Sequence, residues 1–180
     1  KAVNVHIESG RFVFDLLYED IQILGIKMQI PGRHYIENAL AAASVAIYLE
    51  VAAKDIKKGL ESFTGVERRF EYNDKIVYID DYAHHPKEIE STLSAVKELY
   101  PDKMMIVVFQ PHLYSRTRDF AAGFAESLEI ADEIILLDIY PARELPIEGV
   151  DSNIILSKIK NNNKLLLTKV KLKEYLINKS

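Results

Sequence analysis

Residues 104–137 read MMIVVFQPHLYSRTRDFAAGFAESLEIADEIILL, and the reading of this stretch decides the fold. Met104–Phe109 is an unbroken apolar run of strand length, and Glu133–Leu137 is a second. Between them a helix is expected from about Thr117, with Phe120, Ala121, Phe124, Ala125 and Leu128 on its inner face. Apolar strands joined by an amphipathic helix of this length predict parallel pairing, with helices covering both faces of the sheet. Working outward, Lys75–Ile79 supplies another short strand and Pro86–Tyr100 a helix with proline in its first turn and Ile89, Leu93, Val96 and Leu99 on one stripe. Asp151–Ile159 reads as a helix, Lys164–Leu167 as a strand and Lys171–Ile177 as a last short helix. The second part of the chain is therefore expected to be a Rossmann-like α/β domain.

Before Gly65 the rhythm is different. Residues 3–8, 11–17 and 21–30 alternate apolar and polar around Ser9-Gly10 and stop at Pro31-Gly32, the pattern of a small antiparallel β unit. A helix over about Ile36–Val51, apolar on nearly every side, is expected to be buried. A second, over about Lys54–Phe63, ends at Thr64-Gly65, and a domain boundary is expected there, separating residues 1–65 from 66–180.

The whole is 180 residues, 48% apolar and 28% charged, enough for one full domain and part of another. There is no cysteine, which excludes disulfide frameworks, thiolate metal sites and cysteine nucleophiles. The longest nearly apolar stretch, Ala39–Leu49, falls well short of the ~20 residues of a bilayer span. Net charge is −4, but the segment from Lys158 holds seven lysines and one acid, Glu174, leaving −10 on residues 1–157. The basic tail is read as a solvated face, and the acidic remainder argues against a nucleic-acid role. The chain opens Lys-Ala-Val without the sections of a signal peptide and is expected to be a piece of a longer one.

In an open parallel sheet, ligands bind beyond the carboxyl ends of the strands. Three such ends carry polar clusters: Asp80-Asp81-Tyr82-Ala83-His84-His85-Pro86, Gln110-Pro111-His112 through Arg118, and Asp138-Ile139-Tyr140 through Glu144. Acids there can hold ribose hydroxyls, imidazoles can exchange protons, and guanidinium groups can grip a carboxylate or phosphate. Asp80-Asp81 serves equally as a turn or helix cap, with His84 adding weight to Asp81 as a site residue. Arg116 and Arg118, two apart, cannot face one way on a helix, and Arg116, nearer the strand end, is taken as the ligand. Arg68-Arg69 is either an exposed basic turn or a pair reaching a ligand. Tyr140 and Arg143-Glu144 are either supporting or structural. No protein-held metal is expected, because the histidines lack metal-ligand spacing. GxxxxGK[ST], GxGxxG and GxSxG motifs are all missing.

Pro31-Gly32-Arg33-His34 with Asn38-Ala39-Leu40, Gly65-Val66-Glu67-Arg68-Arg69-Phe70, Asp80 through Pro86, Phe109-Gln110-Pro111-His112 with Arg116-Thr117-Arg118-Asp119, and Tyr140-Pro141-Ala142-Arg143-Glu144 with Pro146-Ile147 and Gly149 occur in this order. Together they closely resemble the Mur ligases, over residues 31–152. The resemblance implies a cytoplasmic, ATP- and Mg²⁺-dependent ligase of peptidoglycan precursor synthesis. Its substrates would be UDP-N-acetylmuramate and L-alanine, joined through an acyl phosphate. It further implies that residues 1–65 end a central ATP-binding domain and that residues 66–180 form the C-terminal domain, truncated at its end. The phosphate loop and most Mg²⁺ ligands would lie elsewhere, so this chain alone is expected to be inactive. By position, Asn38 is implied to face adenine, Arg69 and Asp81 to contact the nucleotide, and Tyr82, His84, His112 and Arg116 to line the amino-acid side, with His112 and Arg116 catalytic. Tyr35 stands where many members have asparagine, and Leu113 where many have arginine. Two alternatives stay open: a stand-alone nucleotide- or peptide-binding module, and the sibling ligase that takes murein tripeptide.

Overall fold

The structure, a computed structural model, describes residues 1–65, 71–73 (backbone) and 77–179. It divides into two compact units, Lys1–Tyr82 with Ser94–Pro101, and Ala83–Leu93 with Asp102–Ser180.

The first unit opens with an antiparallel meander of β1 (Ala2–Glu8), β2 (Arg11–Tyr18) and β3 (Ile21–Lys27). Phe12, Phe14 and Leu16 of β2 alternate onto the core face, where they meet Ile23, Ile26 and Met28. Two irregularities shape the sheet. Asn4 and Val5 together oppose Phe14, and Leu24 and Gly25 together oppose Asp15. Each extra residue bends its strand and frees polar groups from the ladder. Gly25 takes φ +60°, a left-handed conformation that suits glycine, and its freed amide donates to Asp15 Oδ1 at 2.7 Å. Asn4 Nδ2 donates to Asp15 Oδ2, also at 2.7 Å. One carboxylate thus links all three strands.

Helices α1 (Arg33–Tyr48) and α2 (Ala53–Ser62) complete this core through Ile36, Ala39, Ala43 and Ile56. The expectation that α1 is buried on nearly every side fails. It seats one stripe only, at positions 36, 39 and 43, while Val45, Tyr48 and Leu49 are exposed. The sheet and α2 cover a single face of α1, and the small alanines elsewhere on it gather no further layer. Lys57 of α2 donates to the carbonyl of Leu24 at 2.7 Å, clamping the bulged part of β3. Beyond α2, β4 (Glu71–Asn73) pairs antiparallel with β5 (Tyr78–Asp80). The strand expected over Lys75–Ile79 thus begins at Tyr78 within the described residues, and it belongs to this two-stranded sheet instead of the parallel one.

The parallel sheet is three-stranded in the second unit, with β6 (Ile106–Phe109), β7 (Glu133–Leu137) and β8 (Lys164–Leu167) side by side in that order. All five residues of β7 are buried, as a central strand covered on both faces requires. Helix α3 (Pro86–Leu99) buries Ile89 and Leu93. Helix α4 (Tyr114–Leu128) buries Ala121, Phe124, Ala125 and Leu128. Phe120, expected on that inner face, is 40% exposed instead. Its backbone leaves helical geometry (φ −113°, ψ 15°), and the resulting kink turns the ring outward against His85, with centroids 4.7 Å apart. The helix expected over Asp151–Ile159 shrinks to one turn, α5 (Asn153–Leu156), preceded by Ser152, whose buried hydroxyl donates to the carbonyl of Leu137 at 2.6 Å. Helix α6 (Lys169–Ile177) is followed by Lys179, and Tyr175 and Lys179 both bond to the buried Glu133 at the start of β7. Among the described residues no helix is long and apolar enough to cross a membrane.

The bonds from Asn4 and then Gly25 hold the Asp15 carboxyl below the ordinary carboxylate range. A depressed folded pKa contributes stability that is present above the unfolded value and lost as pH falls through the folded one. Asp15→Asn is therefore expected to lower stability at neutral pH and to flatten its loss below about pH 4, as read by urea unfolding at stepped pH.

Candidate functional site

The first unit contains a cavity of about 640 Å³ bounded by Met28, by α1 and by α2. Asn38 stands on its wall beside His34 and Tyr35, with Ala39, Ala42, Leu60 and Phe63 supplying apolar surface. A mainly apolar lining with a few polar groups is the composition of a small-molecule pocket. Gly32 bends the chain into it at φ +130°, and a Cβ at that position would come within 2.7 Å of the His34 ring. His34 and Tyr35 lie 4.3 Å apart, ring to ring. Asp81 and Tyr82 follow β5 in the same unit, Asp81 partly buried and Tyr82 exposed. Arg69, with Arg68, lies outside the described residues.

The second unit gathers His84, His112 and Arg116. His112 follows β6 and pairs its backbone with Tyr140 after β7, extending the parallel register beyond the strands. Their rings stack at 5.5 Å. Leu113 then takes φ +71° and α4 begins, so that Arg116, one turn along, brings Nη1 to 3.4 Å from His112 Nδ1. Burial, then the Arg116 cation and His84, push the His112 imidazole below its ordinary pKa, with Glu144 opposing them. His84 is held by Glu88, whose Oε2 accepts from the backbone amides of His84 at 2.9 Å and His85 at 3.2 Å and lies 3.4 Å from His84 Nδ1. Arg118 points elsewhere, into an exposed pair with Asp119.

Two further carboxylates hold the site residues in place. Glu88 is not among the candidates above, although a glutamate three residues after His85 at a helix start has the spacing of a capping box. Glu144, which the sequence leaves between supporting and structural, is the second. Its carboxylate accepts from Ser115 Oγ at 2.5 Å and Ser115 N at 3.0 Å. Among the described residues no three His, Asp or Glu side chains converge as a metal site.

Parallel strands whose carboxyl ends gather imidazole and guanidinium groups define an α/β ligand-binding domain. The Mur ligase, glutamate ligase domain family matches residues 68–176, and the chain belongs to that family. It is similar to the UDP-N-acetylmuramate–L-alanine ligase of Christiangramia forsetii, 51% identical over 176 residues that make up 96% of this chain and 39% of that protein. The enzyme of the same name from Flavobacterium psychrophilum is 51% identical over 171 residues, 93% of this chain and 38% of that protein. Among solved structures, the UDP-N-acetylmuramate-alanine ligase of Thermotoga maritima matches with a TM-score of 0.76 at 25% identity, covering 97% of this chain and 38% of that one. The folylpolyglutamate synthase of Mycobacterium tuberculosis shares the fold, with a TM-score of 0.78 at 16% identity over 99% of this chain and 41% of that one. The chain thus spans about two fifths of the length of the curated relatives it matches.

In an NMR titration the His112 ring is expected to protonate at lower pH than a solvated histidine. Arg116→Ala should move its midpoint upward, since the neighbouring cation is removed; an unmoved midpoint would show that the two groups do not interact in solution.

Proposed function

We propose that this chain is the C-terminal portion of an ATP-dependent ligase that joins L-alanine to UDP-N-acetylmuramate. The observation that carries the reading is the His112–Arg116 pair at the end of β6, set in a chain about half identical to ligases of that name. Residues 1–65 are assigned to the end of the central ATP-binding domain and 66–180 to the C-terminal domain, an assignment supported by the family match over 68–176. The protein is assigned to the cytoplasm, where nucleotide-linked precursors and ATP are available.

ATP would activate the muramate carboxylate as an acyl phosphate. The alanine nitrogen then attacks the acyl carbon, the carbon–oxygen bond to phosphate breaks, and amide, ADP and phosphate result. The chain's own contribution is positioning and charge. The Asn38 amide and the Tyr35 ring would receive adenine in the cavity of the first unit, with Asp81 and Arg69 assigned to the rest of the nucleotide. In the second unit Arg116 would bind the alanine carboxylate through its guanidinium fork. His112, kept largely neutral by burial and by Arg116, can accept the proton that the alanine ammonium must lose before its nitrogen attacks. His84 and Tyr82 are assigned to the amino-acid side as well. The sibling that takes murein tripeptide shares the Asp80-to-Pro86 pattern, but Phe109-Gln110-Pro111-His112 followed by Arg116 favours the single amino acid.

In the full-length ligase, Arg116→Ala is expected to raise the KM for L-alanine about tenfold or more, the scale of one charge-assisted contact. Steady-state kinetics with L-alanine and tripeptide as competing substrates measures this and separates the two ligase readings. The 180-residue chain by itself should release no ADP from ATP with both substrates present; measurable turnover would overturn the assignment of the activating machinery to the remainder of the enzyme.

A further inference from the structure

We infer that Glu144 is a positioning residue for amino-acid capture: its carboxylate, reaching from the loop after β7, caps the first turn of α4 and so fixes the direction in which Arg116 and His112 present themselves. The inference rests on the reading of Arg116 and His112 given above.

A helix start leaves its first amides without partners inside the helix. These are ordinarily met by a Ser, Thr, Asp or Asn at the cap position. Helix α4 has Leu113 there, which offers no acceptor and sits in the left-handed region at φ +71°. The missing acceptor comes from outside. Glu144 takes the Ser115 amide and hydroxyl, and the neighbouring Tyr114 amide adds to the stabilisation of its charge. These bonds, Ser115 first, hold the Glu144 carboxyl below its ordinary range, so it is ionised throughout the neutral region. An anion at a helix N-terminus is also favoured by the helix dipole.

The same loop braces the other side of His112. Tyr140 N donates to the carbonyl of Pro111 at 2.8 Å, Leu113 N donates to the carbonyl of Tyr140 at 3.0 Å, and the Tyr140 ring stacks on the imidazole. Within the loop Glu144 N donates to the carbonyl of Pro141 at 2.9 Å, closing the turn that aims the carboxylate. Arg116 is thus flanked by two residues locked from one loop: Ser115 by Glu144, and His112 by Tyr140. Remove the carboxylate and the first turn of α4 loses the acceptor of the Ser115 amide and hydroxyl, leaving the left-handed Leu113 held only by its bond to Tyr140 and by the helix itself. The guanidinium then loses a fixed origin, and capture of a small carboxylate suffers before the chemistry does.

The test is a comparison of Glu144→Ala and Glu144→Gln in the full-length ligase. Glu144→Ala is expected to raise the KM for L-alanine about tenfold while kcat and the KM for ATP stay within about threefold, and Glu144→Gln, which keeps an acceptor, to recover most of the loss. General destabilisation would instead lower kcat with the Michaelis constants unchanged. Should Glu144→Ala fail to fold, Ser115→Ala removes the hydroxyl bond alone and is expected to raise the alanine KM about threefold. An alanine KM within twofold of wild type in each variant overturns the inference, as does an equal rise for ATP. A second readout does not depend on turnover. In the 180-residue chain, His112 faces Arg116, His84, Glu144 and the Tyr140 phenol, and loss of the Glu144 charge in Glu144→Gln should lower its NMR titration midpoint. If wild-type ligase makes no product from L-alanine but His112 responds, the ligase reading falls and the positioning geometry stands. If His112 does not respond, the positioning inference falls.

Discussion

The burial of β7 on both faces is the constraint on which the second unit depends. Ile134, Ile135 and Leu136 are wholly excluded from solvent between β6 and β8. Burying three such side chains contributes about 1.5–3 kcal/mol each, so the strand is not free to slide. Its two ends inherit that rigidity. At the start, Glu133 is buried, and burial alone would raise its pKa; the bonds from Lys179 and Tyr175 outweigh this and hold it ionised, fastening the end of the chain to the sheet. At the other end, the chain leaves into Tyr140 and Glu144, which set the geometry around His112. The candidate site is therefore referenced to the most deeply buried strand of its unit.

The first unit solves a different problem. A three-stranded meander with one apolar face is marginal unless helices cover it, and here α1 and α2 do so through Ile36, Ala39, Ala43 and Ile56. Both bulges release polar groups near Asp15, and its carboxylate collects them from the neighbouring strands. The cavity beside Asn38 lies between α1 and α2 with the buried Met28 on its wall, so its apolar lining continues the core that Phe12 and Phe14 begin.

Much of this was legible from periodicity. The three opening strands, β7, β8 and both early helices fall within a few residues of where alternation and helical spacing put them. The misses have physical sources. Apolarity all round α1 was read as burial, but alanine satisfies either environment, and one stripe proved sufficient. Phe120 was placed inside by an ideal 100° spacing that a kink breaks, and spacing cannot report a kink. The strand at Tyr78–Asp80 had the right composition, yet its partner was Glu71–Asn73, and pairing is decided by tertiary context. At the site, His112 and Arg116 were found because strand ends in parallel sheets are where ligands bind. Glu88 escapes notice and Glu144 stays open between two roles because a cap supplied from three or from twenty-nine residues away has a weak local signature or none.

The placement of those two carboxylates resolves a tension in the site's charge. A pocket meant for an amino acid needs a cation for the carboxylate and a neutral base for the ammonium, within a few ångströms of each other. A fully cationic cluster would hold the first and repel the second. Here burial first and the neighbouring guanidinium second disfavour a protonated His112, so in the proposed function Arg116 does two jobs with one charge: it would partner the carboxylate, and it helps keep the imidazole available as an acceptor. Glu144 works against the second effect, since its charge raises the His112 pKa, but its carboxylate accepts the Ser115 amide and hydroxyl at the start of α4, and burial with the Arg116 and His84 charges outweighs it at the imidazole. Tying the anion to a helix terminus thus lets one loop stabilise the architecture while the imidazole keeps its lowered pKa.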